Sequence, residues 1–440
     1  MVCYFSVASG VDRGYHSKIR YMNILLKSAK IVCPENKDLH LKKRDILIKN
    51  GNIEKVGTSI ETPANTKSVN LKNLHVSVGW FDSGVSFGEP GFEERETIAN
   101  GLRVAASSGF TDILLYPSTH PVPDTSSDVV FLKERGLGKP TNVHPMGALT
   151  RNSEGVDLAE LFDMKNAGAV AFSDFKKQVS NPNLLKIALL YAQNFDGLVF
   201  SFPQDGSIKG TGVAHEGEVS TTLGLKGIPA LAEELQVARD LFILEYTGGK
   251  LHIPTISTAE SVKLIANAKK KGLDVTCSVA IHNLFFSDEE LKGFDTHFKV
   301  SPPLRSKADS KALIKGLKEG TIDLVTSDHV PIDIEHKRVE FDNAMDGTLG
   351  LESAFGSLNL LLGTEETITL MTKGRARFGI EDPSFKEGAK ANITLFNPEE
   401  TYTFGPKNIL STSKNSMFLG AELKGKVYGT INNDQIIIHE

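Results

Sequence analysis

Apolar and polar positions alternate in two different ways along this chain, and the change of period divides it. Residues 22–76 read as short strands. NILLKSAKIV, RDILIKNGNIEKVG and KSVNLKNLHVSV set apolar side chains at every second position, the period that places them on one face of a half-buried sheet. Lys49-Asn50-Gly51-Asn52 between two such runs is a hairpin signal, because Asn-Gly tolerates the positive φ angles of a tight turn. The tail, 388–440, behaves likewise in ANITLFNPEE and FLGAELKGKVYGTINNDQIIIHE, with Asn432-Asn433-Asp434 as a turn. Two β-rich ends around a different body predict one small β-sandwich domain built from 22–76 and 388–440. Residues 1–21 lack the continuous apolar core of a signal peptide and are expected to be a disordered leader.

The body, 77–387, alternates strand-like and helix-like segments. HVSVGWFDSGV, TDILLYP, NVHPMGALT, AVAFSD, GLVFSFP, KLHIPTIST, DVTCSVAI and IDLVTSD are the strand candidates. Helical patterns such as ETIANGLRVAASSG, LLKIALLYAQNF and ESVKLIANAKKKG lie between most of them. Eight strands with intervening helices is the count of a (β/α)₈ barrel. The pattern alone also allows a doubly wound sheet. No GxGxxG or GxxxxGK[ST] phosphate loop is present, which weakens a nucleotide-binding reading.

Composition adds exclusions. The 440 residues are 40% hydrophobic and 23% charged, with net charge −5. That is ordinary for a globular protein and gives no electrostatic reason to expect nucleic acid or an acidic membrane as partner. The three cysteines, Cys3, Cys33 and Cys277, form no CxxC pair, so a reducing cytoplasmic setting is the simplest expectation. No apolar run reaches the length of a membrane span.

The chemistry turns on Val78 to Glu93, VGWFDSGVSFGEPGFE. This segment resembles the opening barrel strand of dihydroorotases, the cyclic amidohydrolases of pyrimidine synthesis, which runs roughly PGFIDxHVHFREPGFE. Asp82, Glu89, Pro90, Gly91, Phe92 and Glu93 match. The resemblance extends over nearly all of 22–440: His215-Glu216-Gly217-Glu218-Val219 is similar to NEGEV, Val300 to Arg305 to VNPPLR, Gly347 to Glu352 to the loop over the substrate, and Ala391 to Leu395 to ADITIF. It implies a TIM-like metal-dependent-hydrolase barrel with an appended β-sandwich, and zinc in active relatives.

It also implies where that zinc would be held, and there the sequence departs from the pattern. The two histidines of HxH are Gly84 and Ser86. The bridging aspartate of AFTDDG is Phe175, its predecessor surviving as Asp174. The histidine positions of the fifth and sixth strands are Phe202 and Thr255. Only the final aspartate remains, as Asp328. Five of six ligand positions are thus degenerate, and a hydrolytic zinc needs about three protein ligands and an open site. The positions that hold the substrate carboxylate in the family are Gly88, Ser118 and Ile332, none charged. As compensating ligands, His252 and His329 are expected by strand alternation to point away from the mouth, Lys176 stands one residue out of register for a carbamylated bridge, and His282-Asn283 reverses the family's Asn-His order. No metal cofactor is therefore expected.

Asp328 is the one retained position a mechanism could use, as a general base; the bland alternative is a leftover carboxylate hydrogen-bonded to backbone or to a neighbour such as Ser86. The resulting expectation is a non-catalytic homologue acting as scaffold or regulatory partner of aspartate transcarbamoylase, a partner implied by inactive members of the family, with a homodimer likewise a family-based expectation. Two alternatives stand beside it: an active cyclic amidohydrolase with a non-standard site, and a small-ligand sensor using an emptied barrel pocket.

Overall fold

A computed structural model describes residues 23–439. The expected leader, 1–21, lies outside the described residues. Both chain ends meet in one eight-stranded sheet. Its order is 435–438, 422–432, 393–403, 75–78, 23–31, 43–49 and 52–57, with 67–69 paired beside 23–31. The ends meet in the antiparallel pairing of Val76 with Leu395 and Val78 with Ile393, and again at the antiparallel bridge of Asn52 with Lys390. Apolar residues from across the sheet, among them Ile24, Leu26, Ile48, Ile53, Val76, Leu395 and Ile431, share one buried cluster. The expected boundary after residue 76 falls inside the strand His75–Val78. The chain leaves this sheet at Gly79, where a Cβ would collide with the side chains of Asn392 and Thr111.

The body closes into a parallel barrel. The first three strands are Trp80–Val85, Phe110–Leu115 and Asn142–Pro145. Leu198–Phe200, Lys250–Ile253, Val275–Ala280 and Leu324–Thr326 form the fifth to eighth. The fourth is reduced to a bridge at Phe172, paired in parallel with Gly147 on one side and Val199 on the other. Val85 pairs with His329 to close the ring. Side chains such as Val199, Leu251, Val279 and Val325 face outward onto the helices in the main core. Phe81, Leu114, Tyr116, Met146, Leu198, Phe200 and Leu324 face one another inside the ring, so the lumen is packed rather than open. No described helix is long and apolar enough to cross a membrane.

The matching segments outside the site are explained by what they hold. Glu89 accepts the Ile98 N–H at 2.8 Å at the start of the first barrel helix, Ile98–Ser107, and pairs with Arg135. Gly91, at φ 97°, packs against the backbone of His120. Arg305, 1% exposed, donates to Ser257 Oγ at 3.0 Å, to the Ile228 carbonyl at 3.0 Å and to His215 at 3.2 Å, and lies 3.8 Å from Glu233. One buried guanidinium thereby joins the segments around 215 and 305, and a buried charge so satisfied cannot be removed cheaply. At the other end of the barrel, Arg375 binds Asp112 at 3.0 Å and the Gly79 carbonyl at 2.7 Å. Burial opposes the Asp112 charge, but the hydrogen bond from His144 and the Arg375 charge outweigh it and hold the carboxyl well below its usual range.

Candidate functional site

The strand ends converge at the barrel mouth, where the chemistry of this architecture is placed. Gly84, next to last in its strand, has no side chain, and the space beside it belongs to Tyr116. A Cβ on Gly84 would fall 2.7 Å from the Tyr116 Cζ and Oη. The Tyr116 ring packs 5.1 Å from that of Phe175 and 6.4 Å from that of Phe200. Burial, with the nearby charges of Asp328 and Asp82, pushes its phenol well above the usual range, so it stays protonated. Ser86 hydrogen-bonds Ser118 at 2.5 Å, so the two hydroxyls satisfy each other. Phe202 and Thr255 are buried.

Asp82 is fully engaged. Its Oδ1 accepts from the Thr326 hydroxyl at 2.7 Å and the Gly84 N–H at 3.1 Å, and its Oδ2 accepts from the Ser327 N–H at 3.1 Å. It ties the first strand to the eighth. Burial pushes its carboxyl up to about 6 despite these bonds. Asp174 accepts from the backbone of Leu149 and Thr150 and from the Thr150 hydroxyl at 2.6 Å, again a loop-fixing role.

Asp328 pairs with Lys176. The ammonium donates to Asp328 Oδ2 at 2.7 Å and to the Ser301 carbonyl at 2.6 Å. The expected neighbour Ser86 is not the partner. Asp328 Oδ1 has no hydrogen-bond partner among the described residues, and neither does His282 Nε2, which lies 3.9 Å from Asp328 Oδ2. Burial raises the Asp328 carboxyl, opposed by Lys176. Burial, with help from the Lys176 charge, lowers the His282 imidazole to about 3, so it is neutral.

The two remaining histidines diverge. His329 packs edge-on to Phe87, with ring centroids 6.2 Å apart, and lies within hydrogen-bonding reach of the Gly350 and Leu351 N–H groups. Phe87 belongs to the core outside the ring, so this histidine turns away from the lumen. His252 does not. It stacks on Phe200 at 4.4 Å and bonds the Thr276 and Ser278 hydroxyls at 2.9 and 3.2 Å. The alternation argument fails for it because the chain leaves the strand after Ile253 and Thr255 takes φ 51°. Both ring nitrogens are nonetheless engaged one layer below the mouth.

A hydrolytic metal does not fit these residues. Among the described residues no three His, Cys, Asp or Glu side chains converge on a common point. Tyr116 fills the space beside Gly84, and an ammonium already holds Asp328. The positions the resemblance would give to a substrate carboxylate are likewise closed. A Cβ at Gly88 would run into the backbone of Phe92, and Ile332 is buried. A groove of about 720 Å³ opens beside Ile332, lined also by Glu94, Asp333, His336, Lys337 and Lys414. Tyr116 and the Lys176 partnership are the functional features that motif comparison passed over. The signal for Tyr116 was present: it follows Leu114 at the inward period, opposite a position that has lost its side chain.

The fold is shared with solved hydantoinases. The L-hydantoinase (dihydropyrimidinase) of Arthrobacter aurescens superposes with a TM-score of 0.80 at 21% identity, over 93% of this chain and 94% of that one. The D-hydantoinase of a Thermus species gives 0.78 at 18%, over 94% and 95%. Sequence narrows the class. A family model described as Dihydro-orotase-like matches residues 75–261. The protein named dihydroorotase of Pelotomaculum thermopropionicum is 41% identical over 430 residues, 95% of this chain and 99% of its own length. That of Syntrophus aciditrophicus is 40% identical over 428 residues, 95% of this chain and 100% of its own. The chain belongs to the dihydroorotase family.

Proposed function

We propose that this chain is a homodimeric, non-catalytic dihydroorotase homologue of the cytoplasm, acting in pyrimidine synthesis as a scaffold or regulatory partner of aspartate transcarbamoylase. The observation that carries the reading is the plugged mouth: Tyr116 fills the space beside Gly84, and Lys176 neutralises Asp328. Opening a cyclic amide needs an activated water and an electrophile on the carbonyl. Neutral His282, engaged Asp82 and ion-paired Asp328 supply neither. The buried frame of Glu89, Arg305 and Arg375 supports the same reading, since it preserves the barrel independently of the site.

A second reading has its own support. Relatives at about 40% identity are named dihydroorotase, and Asp328, Lys176 and His282 sit together at the mouth, so an active cyclic amidohydrolase with a non-standard site is the competing account. A ligand sensor is less favoured, because side chains occupy the lumen. The test is co-elution of the purified chain with aspartate transcarbamoylase on size exclusion, run beside a dihydroorotate/carbamoyl-aspartate assay with added zinc. Co-elution without turnover supports the proposal. Turnover by the isolated chain selects the second reading.

A further inference from the structure

Asp328 presents a problem that its neighbours solve in an unusual way. It is 1% exposed, sits at φ 46°, and lies beyond the end of the eighth strand. A carboxylate so placed needs a positive partner, because burying an unpaired charge is costly. Lys176 reaches it from the loop after the fourth strand. The same ammonium binds the Ser301 carbonyl from the loop after the seventh. One side chain therefore joins the loops after the fourth, seventh and eighth strands.

The register explains how. Phe175 takes φ 55°. A left-handed residue interrupts strand alternation, so residues 175 and 176 both turn to the mouth: the Phe175 ring lies against Tyr116 and the Lys176 amine against Asp328. Thr255 and Asp328 are also left-handed. Such conformations cost of order 1–3 kcal/mol each and persist only where the surroundings hold them.

We propose that Lys176 is the resident cation of this barrel, taking over both the charge compensation of Asp328 and the tethering of the loops at the mouth. This deepens the reading above and rests on it. It accounts for a retained acidic residue in a site that has otherwise lost its ligands: Asp328 is kept as the anchor of a salt bridge. An ammonium 2.7 Å from this carboxylate also opposes any divalent ion there by charge repulsion.

The test is a charge-specific double-mutant cycle on the full chain, read as thermal unfolding midpoints, with zinc content measured on the wild-type sample. Lys176→Met keeps the length of the side chain and removes the charge. It lowers the midpoint by several degrees. Lys176→Arg stays close to wild type. Adding Asp328→Asn to Lys176→Met recovers at least half of the loss, because the stranded carboxylate is gone. Lys176→Met at the wild-type midpoint, or a double variant as low as the two losses added together, would overturn the proposal while leaving a zinc-free, non-catalytic chain intact. Zinc near one ion per chain in the wild-type protein would overturn the reading beneath it.

Discussion

Restoring a histidine at position 84 is the sharpest way to ask whether the mouth is plugged. In Gly84→His the first added atom lands 2.7 Å from Tyr116 Cζ and Oη, well inside contact distance, and an imidazole must follow it. Tyr116 is 5% exposed and bounded by Phe175 and Phe200, so its ring cannot move without disturbing both. Overpacking of a dense interior costs about 1–3 kcal/mol, and this substitution belongs at the upper end. Tyr116→Ala removes a buried ring, which costs about 3–5 kcal/mol for comparable aromatic side chains. The two changes share one volume. The double variant, with an imidazole in space the ring has left, is therefore more stable than the sum of the single losses by at least about 1 kcal/mol. Scanning calorimetry of the four proteins measures this, at roughly 2–4 °C per kcal/mol or somewhat less for a chain of this size. A Gly84→His variant that melts with wild type, or a double variant whose losses simply add, would refute the argument that Tyr116 occupies the lost ligand's space.

Three further outcomes follow from the same geometry. The Asp82 carboxyl, raised to about 6 in the folded state against about 3.9 unfolded, binds its proton more tightly when folded. It therefore contributes stability that falls as pH rises from about 4 to 6, on the order of 3 kcal/mol; urea titrations should show a shallower pH dependence over that window in Asp82→Asn, and an unchanged slope would count against it. Arg305→Met takes the cation from buried Glu233, which keeps its hydrogen bonds from Ser257 and Thr258, and removes the bonds to Ser257, His215 and Ile228, so it should cost about 3 kcal/mol by denaturant unfolding, and a loss below about 1 kcal/mol would contradict the joining role given to it. Incubation with a chelator should leave the unfolding midpoint in place, since the described residues bring no three ligating side chains together to hold an ion whose binding would add stability; a lowered midpoint restored by zinc would contradict the account of the mouth.

The barrel and the two-ended sheet were legible because both rest on periodicity, and periodicity survives the loss of chemistry. The outward face of Val199, Leu251 and Val325 and the alternating strands around Asn50-Gly51 could be read directly. At the candidate site the sequence shows departures from the family pattern at Gly84, Ser86, Phe175, Phe202 and Thr255, because motif comparison registers which residue stands at a position. It does not register what moves into the space. Tyr116 belongs to a different strand from Gly84, so their relation exists only after the first two strands pair. Lys176 stands out of register in the sequence, and the left-handed Phe175 is what corrects that register. His252 was misdirected by extending strand alternation past Ile253, beyond the point where the backbone keeps it. In each case the missing information was a backbone conformation or a cross-strand neighbour, which a single line of sequence does not carry.

The central claim is that the chemistry of this family has been replaced here by packing and a salt bridge. Turnover tests it most directly: the purified chain, supplied with excess zinc, assayed in both directions between dihydroorotate and carbamoyl-aspartate. No rate above the uncatalysed reaction is the result expected from a mouth filled by Tyr116 and Lys176. A zinc-dependent rate that Asp328→Asn abolishes would contradict it and place a working metal site among these same residues.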